Sequence, residues 1–219
     1  MNWFRSWRSF LWQLPCPLCK RQSQGLWCSS CERQLQICQR ENLRVSQVDL
    51  PLFVWGHYEG NLKRAIAILK YEKRPELGLD LGRRLGLAWI KEGLLKSVEQ
   101  PAVLPIPLHP SKRKLRGFNQ AERIAQGFCQ VTDYQLVSRA LLRVKETQAM
   151  FELPLNERRQ NIRHAFQIGP DFAQLTSRRS LLLVDDIYTT GATVREAIQQ
   201  LRRKDNVNVK VLAIAIPKK

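Results

Sequence analysis

Acidic side chains are scarce in this 219-residue chain: 19 Asp and Glu face 36 Lys and Arg, a formal charge of +17 and a pI of about 10.2. So large an excess calls for an anionic partner or neighbourhood. Long apolar runs are missing too, none approaching the roughly 18 residues that a spanning helix needs, which excludes an integral helical membrane protein. No secretion signal is expected. The basic, aromatic start Met1-Asn2-Trp3-Phe4-Arg5-Ser6-Trp7-Arg8 is interrupted by Arg5 and Arg8 before an apolar stretch develops, and no small-residue cleavage site follows. The start therefore reads as mature, cytoplasmic protein. No internal repeat is visible, and with 44% hydrophobic and 25% charged residues the collagenous, low-complexity and disordered classes fall away. The length fits one full domain with a small appendage, or two small domains.

Trp3, Trp7, Phe10, Leu11 and Leu14 recur at helical spacing, so residues 3–14 can form a short amphipathic helix whose apolar face needs a cover. Docking on the protein's own body is the preferred cover, with a membrane surface or a partner as alternatives. Six cysteines follow, at 16, 19, 28, 31, 38 and 129. Cys16-Pro17-Leu18-Cys19 and Cys28-Ser29-Ser30-Cys31 are two C-x₂-C pairs eight residues apart, and together they offer the four thiolates that a tetrahedral zinc site uses. In a reducing cytosol such a short charged segment gains more from a metal than from disulfides or free thiols. The zinc would be structural, since four thiolates leave no open position. Cys38 reads as a replacement ligand or a small apolar residue, and Cys129 as helix packing.

From about residue 41 strand and helix alternate. Residues 50–58 read as a strand, 61–72 and 77–96 as helices, 103–108 as a buried strand and 119–131 as its following helix. Residues 136–144 carry a mixed signal. Leu181-Leu182-Leu183-Val184 is a buried strand that ends at two acids, a helix runs to about Arg203, and residues 209–216 close the chain as a strand. Strands apolar on both faces and separated by helices indicate an α/β fold with a parallel sheet. The expected division is 1–40, an amphipathic helix plus a zinc-ribbon-like module, and 41–219, the α/β domain.

The strongest chemical signal is Leu181-Leu182-Leu183-Val184-Asp185-Asp186-Ile187-Tyr188-Thr189-Thr190-Gly191-Ala192-Thr193. Small and hydroxyl residues turn directly from two carboxylates into a helix, which aims backbone N–H groups, hydroxyls and the positive end of a helix dipole at one spot suited to a phosphate monoester. The carboxylates can accept from vicinal sugar hydroxyls and help retain Mg²⁺. This stretch resembles the phosphoribosyl pyrophosphate (PRPP) loop of type I phosphoribosyltransferases. The resemblance implies that Asp185 and Asp186 contact the ribose and that Thr189, Thr190, Gly191, Ala192 and Thr193 hold the 5′-phosphate. Purine-salvage members carry an acid for proton transfer where this chain has Thr189. A threonine hydroxyl is no base near neutral pH, so purine salvage is disfavoured.

Leu104-Pro105-Ile106-Pro107-Leu108-His109, then Arg113 and Arg116-Gly117-Phe118-Asn119-Gln120, resemble the P-x-P and R-G-F-N-Q signatures of the ComF family of competence proteins. Tyr58-Glu59-Gly60, Lys70-Tyr71, Thr147-Gln148, Arg158, Asn161, Phe166 and the four-cysteine knuckle are similar to further family segments, so the resemblance covers nearly the whole chain. It implies a phosphoribosyltransferase-like protein serving natural transformation after DNA has entered the cytoplasm as a single strand. Lys112-Arg113-Lys114-Leu115-Arg116 places four cations on an expected loop leaving a strand, and Lys63, Arg64, Lys70, Lys73 and Arg74 form a second cluster. These cations suit DNA phosphates or the pyrophosphate of PRPP, with Lys70 and Arg116 the best candidates for the latter. Phe118 reads as a base-stacking ring or a packing anchor, and His109 as a turn residue rather than a catalyst.

Three functions compete. The favoured one is a competence factor handling single-stranded DNA with a PRPP-type pocket, which a DNA 5′-phosphate could also enter. The second is an active phosphoribosyltransferase with an unidentified acceptor. The third is a zinc-stabilised adaptor recruiting a helicase, a recombination mediator or a membrane assembly, with residues 3–14 touching the inner face of the membrane.

Overall fold

The computed structural model describes residues 14–45, 50–96, 101–147, 154, 157–175, 180–203 and 208–218. Apart from Leu14, the expected N-terminal helix lies outside the described residues. In chain order the elements are β1 (Leu14–Pro15), β2 (Gln22–Ser23), α1 (Ser29–Ile37), β3 (Arg44–Val45), β4 (Leu52–His57), α2 (Gly60–Tyr71), α3 (Pro75–Lys91), β5 (Ala102–Pro105), α4 (Pro110–Arg116) and α5 (Gln120–Thr132). They continue as β6 (Gln135–Leu136), β7 (Leu141–Arg143), α6 (Glu157–Ile162), β8 (Phe166–Ile168), a 3₁₀ turn (Pro170–Leu175), β9 (Ser180–Ile187), α7 (Ala192–Arg202) and β10 (Asn208–Ile216). Among the described residues no helix is long and apolar enough to cross a membrane.

The central sheet has the order β3-β4-β10-β9-β5-β6. It is parallel throughout except for the edge strand β3, which runs antiparallel to β4. Alternate residues of its central strands feed two cores. Leu182, Val184, Leu212 and Ile214 pack with α2, α3 and α5, whereas Leu181, Leu183, Val211 and Ala213 pack with α7 and the β7–β8 hairpin. This two-sided burial is why these strands are apolar without alternation.

Helices α3 and α5 lie very close together. A Cβ at Gly82 would sit 2.0 Å from the Ile124 carbonyl oxygen, and one at Gly127 would sit 2.1 Å from that of Leu79. Below this seam Trp89 makes edge contacts with Phe53 at 5.2 Å and Phe128 at 6.1 Å between ring centroids, a favourable arrangement of ring quadrupoles.

The β1–β2 hairpin and α1 are not a detached module, because Trp27 and Leu35 share one core with Trp55 and Leu62. Polar ties reinforce the junction. The Trp27 indole donates to Asp80 at 2.8 Å, and Arg84 donates to Asp80 and to both carboxylate oxygens of Glu32, each at 2.7 Å.

Two expectations need correction. Residues 110–116 form helix α4, not a loop. His109 accepts at Nδ1 from the Ser111 N–H at 3.3 Å as the N-cap, Pro110 starts the helix, and Gly117 ends it with φ +89°. β9 does not stop before the acids either: it runs through Asp185 and Asp186 to Ile187 because β10 pairs with it as far as Ala215↔Ile187. The ambiguous 136–144 stretch resolves into parts of two short strands, β6 and β7.

Candidate functional site

A cleft of about 190 Å³ opens at the carboxyl end of the sheet, lined by Lys70, Tyr71, Ile106, Pro107, Leu108, Lys112, Arg116, Gln120, Arg143, Asp185, Asp186, Ile187, Thr189 and Thr193. Ligands of open parallel α/β sheets bind at this end, where strand ends and helix N-termini converge. Lys70, near the end of α2, forms a buried ion pair with Asp186. Burial opposes the charge on both groups, yet each partner's field wins, so the Lys70 pKa is raised and the Asp186 pKa is lowered. Asp185 goes the other way. Burial and then the neighbouring charge of Asp186 push its carboxyl well above the ordinary range, although it accepts from the Asp186 N–H at 2.8 Å.

The turn after β9 puts both Thr189 and Thr193 on the cleft wall, Thr189 at its solvent-exposed edge. Gly191 holds the left-handed conformation, with φ +73°. A Cβ there would lie 2.3 Å from the Tyr188 hydroxyl oxygen. Thr190 and buried Ala192 shape this turn, the Ala192 N–H donating to Thr190 Oγ1 at 3.4 Å. The N-terminus of the 11-residue helix α7 follows directly, so its orphan N–H groups and dipole lie beside the carboxylates and hydroxyls.

Helix geometry sorts the expected cations. Lys112 and Arg116, four apart, share the cleft-facing side of α4. Arg113 instead pairs with Glu122 at 3.1 Å, and Lys114 is exposed away from the lining. Burial lowers the Arg116 pKa against the field of Asp186. Lys112 Nζ donates to the Thr147 carbonyl at 2.6 Å, which ties α4 to the segment after β7. Phe118 is buried in the core and anchors the start of α5; it presents no open face to a base.

In the N-terminal segment, the sulfurs of Cys16, Cys19, Cys28 and Cys31 all lie within 4.8 Å of one another, Cys19 and Cys28 at 3.5 Å. Four bonds of about 2.3 Å to a tetrahedral zinc require sulfur separations of roughly 3.8 Å, so the cluster could hold such an ion. Local hydrogen bonding builds it. Lys20, with φ +65°, turns its N–H back to the Cys16 carbonyl at 2.8 Å, and the Cys16 N–H donates to the Arg21 carbonyl at 2.8 Å. Cys28 is the N-cap of α1, and Cys31 lies in its first turn. The backbone and side chain of Arg21 bring the Cys19 thiol down to about 6, favouring the thiolate a metal needs. Neither remaining cysteine joins the cluster. Cys38 caps the end of α1 with its sulfur 3.4 Å from the Gln34 carbonyl, and burial in α5 pushes Cys129 up to about 12.

The chain is 28% identical to Competence protein F of Haemophilus influenzae over 205 residues, covering 91% of this chain and 89% of that protein. It is also 28% identical to the DNA utilization protein YhgH of Escherichia coli O157:H7 over 217 residues, with 90% and 94% covered. Competence protein ComFC of Streptococcus pneumoniae is 27% identical over 204 residues, with 91% and 79% covered. Similarity over about nine-tenths of the chain to proteins named for competence and for DNA utilization supports its resemblance to the ComF family. No protein-family model matches it. A solved structure, TT1426 from Thermus thermophilus, aligns over 63% of this chain and 83% of that one at 15% identity and a TM-score of 0.31, too slight a likeness to argue from.

Several ComF-like segments meet at the cleft. Lys70-Tyr71, the P-x-P stretch, Arg116 and Gln120 all line it, and buried Thr147 stands behind it. Gln148 and the Arg158 side chain lie outside the described residues. Sequence reasoning missed Arg143. Its guanidinium lines the cleft, donates to Thr147 Oγ1 and stacks 5.8 Å from the Phe166 ring centroid. Burial lowers its pKa against the field of Asp185, and its Nε is buried without a partner among the described residues. The available signal was an arginine flanked by Leu141, Leu142 and Val144 next to the Thr147 segment.

Proposed function

We propose that this chain serves DNA uptake and utilisation in natural transformation, binding single-stranded DNA in the cytoplasm and using the sheet-end cleft as a sugar-phosphate pocket of the PRPP type. The observation that carries this reading is the meeting, in one cleft, of a carboxylate pair and a hydroxyl-rich helix N-terminus with Lys70, Lys112, Arg116 and Arg143. A phosphorylated sugar needs both halves. Asp185 and Asp186 would accept from vicinal ribose hydroxyls, Thr189 to Thr193 would hold the 5′-phosphate, and Lys112, Arg116 and Arg143 would take further phosphates. Asp185 has the donor chemistry to share Mg²⁺ with phosphate oxygens, while Lys70 already neutralises Asp186. The four-cysteine cluster would hold a structural zinc that fixes the N-terminal segment.

The names of the relatives, competence and DNA utilization proteins, agree with this role. Binding without group transfer is favoured because, among the described residues, Asp185 and Asp186 are the only acids lining the cleft, and Thr189 supplies no base. A helicase or recombination mediator would receive the strand.

The test is binding of labelled single-stranded DNA across a salt series, with and without PRPP and Mg²⁺. Each phosphate contact contributes a log–log slope of about −0.7. Displacement by PRPP is the expected result, and a 5′-phosphorylated strand should then outbind its 5′-hydroxyl counterpart. Binding indifferent to PRPP would separate the two sites, and the absence of DNA binding would favour an adaptor.

A further inference from the structure

We infer that Tyr71 is a stacking platform for one unpaired nucleobase at the mouth of the phosphate cleft, an inference that rests on the single-strand reading above. Tyr71 ends α2 directly after Lys70, with 66% of its surface exposed. Every other aromatic side chain among the described residues is buried or half-buried. A single exposed ring is unremarkable on a protein surface; what matters is where this one lies.

It lines the same cleft as Lys70, Lys112 and Arg116. Ile106, Pro107 and Leu108 add an uncharged, apolar stretch to that lining. Cations that track a backbone, combined with an open aromatic face and apolar wall, are the composition of a single-strand site, because every base has a π-face and a single strand leaves it free. A sugar phosphate alone has no use for the ring. A duplex cannot use it, since its bases are already stacked on one another. The ring thus adds to the cleft a preference for unpaired strand that the cations cannot supply, and it fills the role for which buried Phe118 is unsuited.

The experiment compares wild type, Tyr71→Ala and Tyr71→Phe against a short labelled deoxythymidine strand, an abasic strand of equal length and a duplex. Loss of one base stack is expected to weaken Tyr71→Ala roughly 5- to 100-fold on the base-bearing strand. The abasic strand and the duplex should bind Tyr71→Ala as they bind wild type, with unchanged salt slopes, and Tyr71→Phe should retain the wild-type preference. Because the side chain is exposed, the variants should fold; wild type preferring the base-bearing over the abasic strand is a check that needs no variant. Tyr71→Ala binding the base-bearing strand as tightly as wild type, or losing both strands equally, overturns the stacking role while leaving the single-strand reading intact. Wild type that binds neither strand overturns the underlying reading itself.

Discussion

Replacing Lys70 by methionine keeps the alkyl stem and removes the charge that faces Asp186. The pair is nearly enclosed, its side chains 19% and 7% exposed, so water does little to screen it. Removing one partner of such a pair leaves an uncompensated buried charge and costs about 3–5 kcal/mol. At roughly 2–4 °C per kcal/mol for a chain of this size, the melting temperature should fall by about 6–20 °C near pH 7. The loss also has a pH signature. In the wild type Asp186 is held below its ordinary pKa, because Lys70 outweighs burial. Its contribution is therefore present above the unfolded value of about 3.9 and is lost as pH falls through the lower folded value. Asp185 has the opposite sign: burial and Asp186 raise it, so its contribution is full below the unfolded value and is lost as pH rises through the folded one. In Lys70→Met, Asp186 joins Asp185 in the second class. The deficit should be greatest near neutral pH and should shrink as the solution is acidified towards the raised values. Thermal melts by circular dichroism across that range provide the assay, with Lys70→Met/Asp186→Asn recovering most of the loss because no charge is stranded. A Lys70→Met protein that melts with wild type at neutral pH, or a deficit that ignores pH, would refute the reasoning.

Cys16→Ser combined with Cys28→Ser should abolish zinc retention by metal analysis and markedly lower the melting temperature; wild type purified without metal would contradict the site. Gly191→Ala forces a left-handed residue at a cost of about 1–2 kcal/mol and drives a Cβ into the Tyr188 hydroxyl, so calorimetry should show weakened PRPP–Mg²⁺ binding. Arg84→Ala removes hydrogen bonds to two carboxylates, each worth about 1.5–3 kcal/mol, and should speed zinc loss to a chelator. Lys112→Ala should flatten the salt slope of DNA binding by about 0.7, while Lys114→Ala leaves the PRPP-displaceable part of binding unchanged.

The central strands and the helices beside them were legible because each carries an uninterrupted apolar run or a regular apolar stripe that only one packing can bury. Helix α4 was not, since none of its residues is buried and periodicity has nothing to register. Its punctuation, Pro110 at the start and Gly117 after the end, was the readable sign. The four-cysteine cluster and the stretch from Asp185 to Thr193 were legible because their chemistry is local in sequence. Arg143 and Tyr71 enter the cleft from elements distant in the chain, and only the β7–β8 pairing, which sets Arg143 opposite Phe166, and the length of α2 bring them there. Phe118 shows the converse: an aromatic next to glycine looks available for a base, yet the capped start of α5 turns it into the core.

The α3–α5 seam bears on any effort to stabilise this protein. Exchanging glycine for alanine inside a helix ordinarily gains about 0.5–1 kcal/mol, and a propensity-guided redesign would choose such positions first. At Gly82 and Gly127 the added methyl would land on a facing carbonyl oxygen, so each helix would improve in isolation while the two were wedged apart. One of them carries Asp80 and Arg84, which clasp the cysteine-bearing segment; the other begins at Gln120 on the cleft wall. The seam is thus a ruler between the cysteine-bearing segment and the cleft wall, and swaps that widen it would loosen both together.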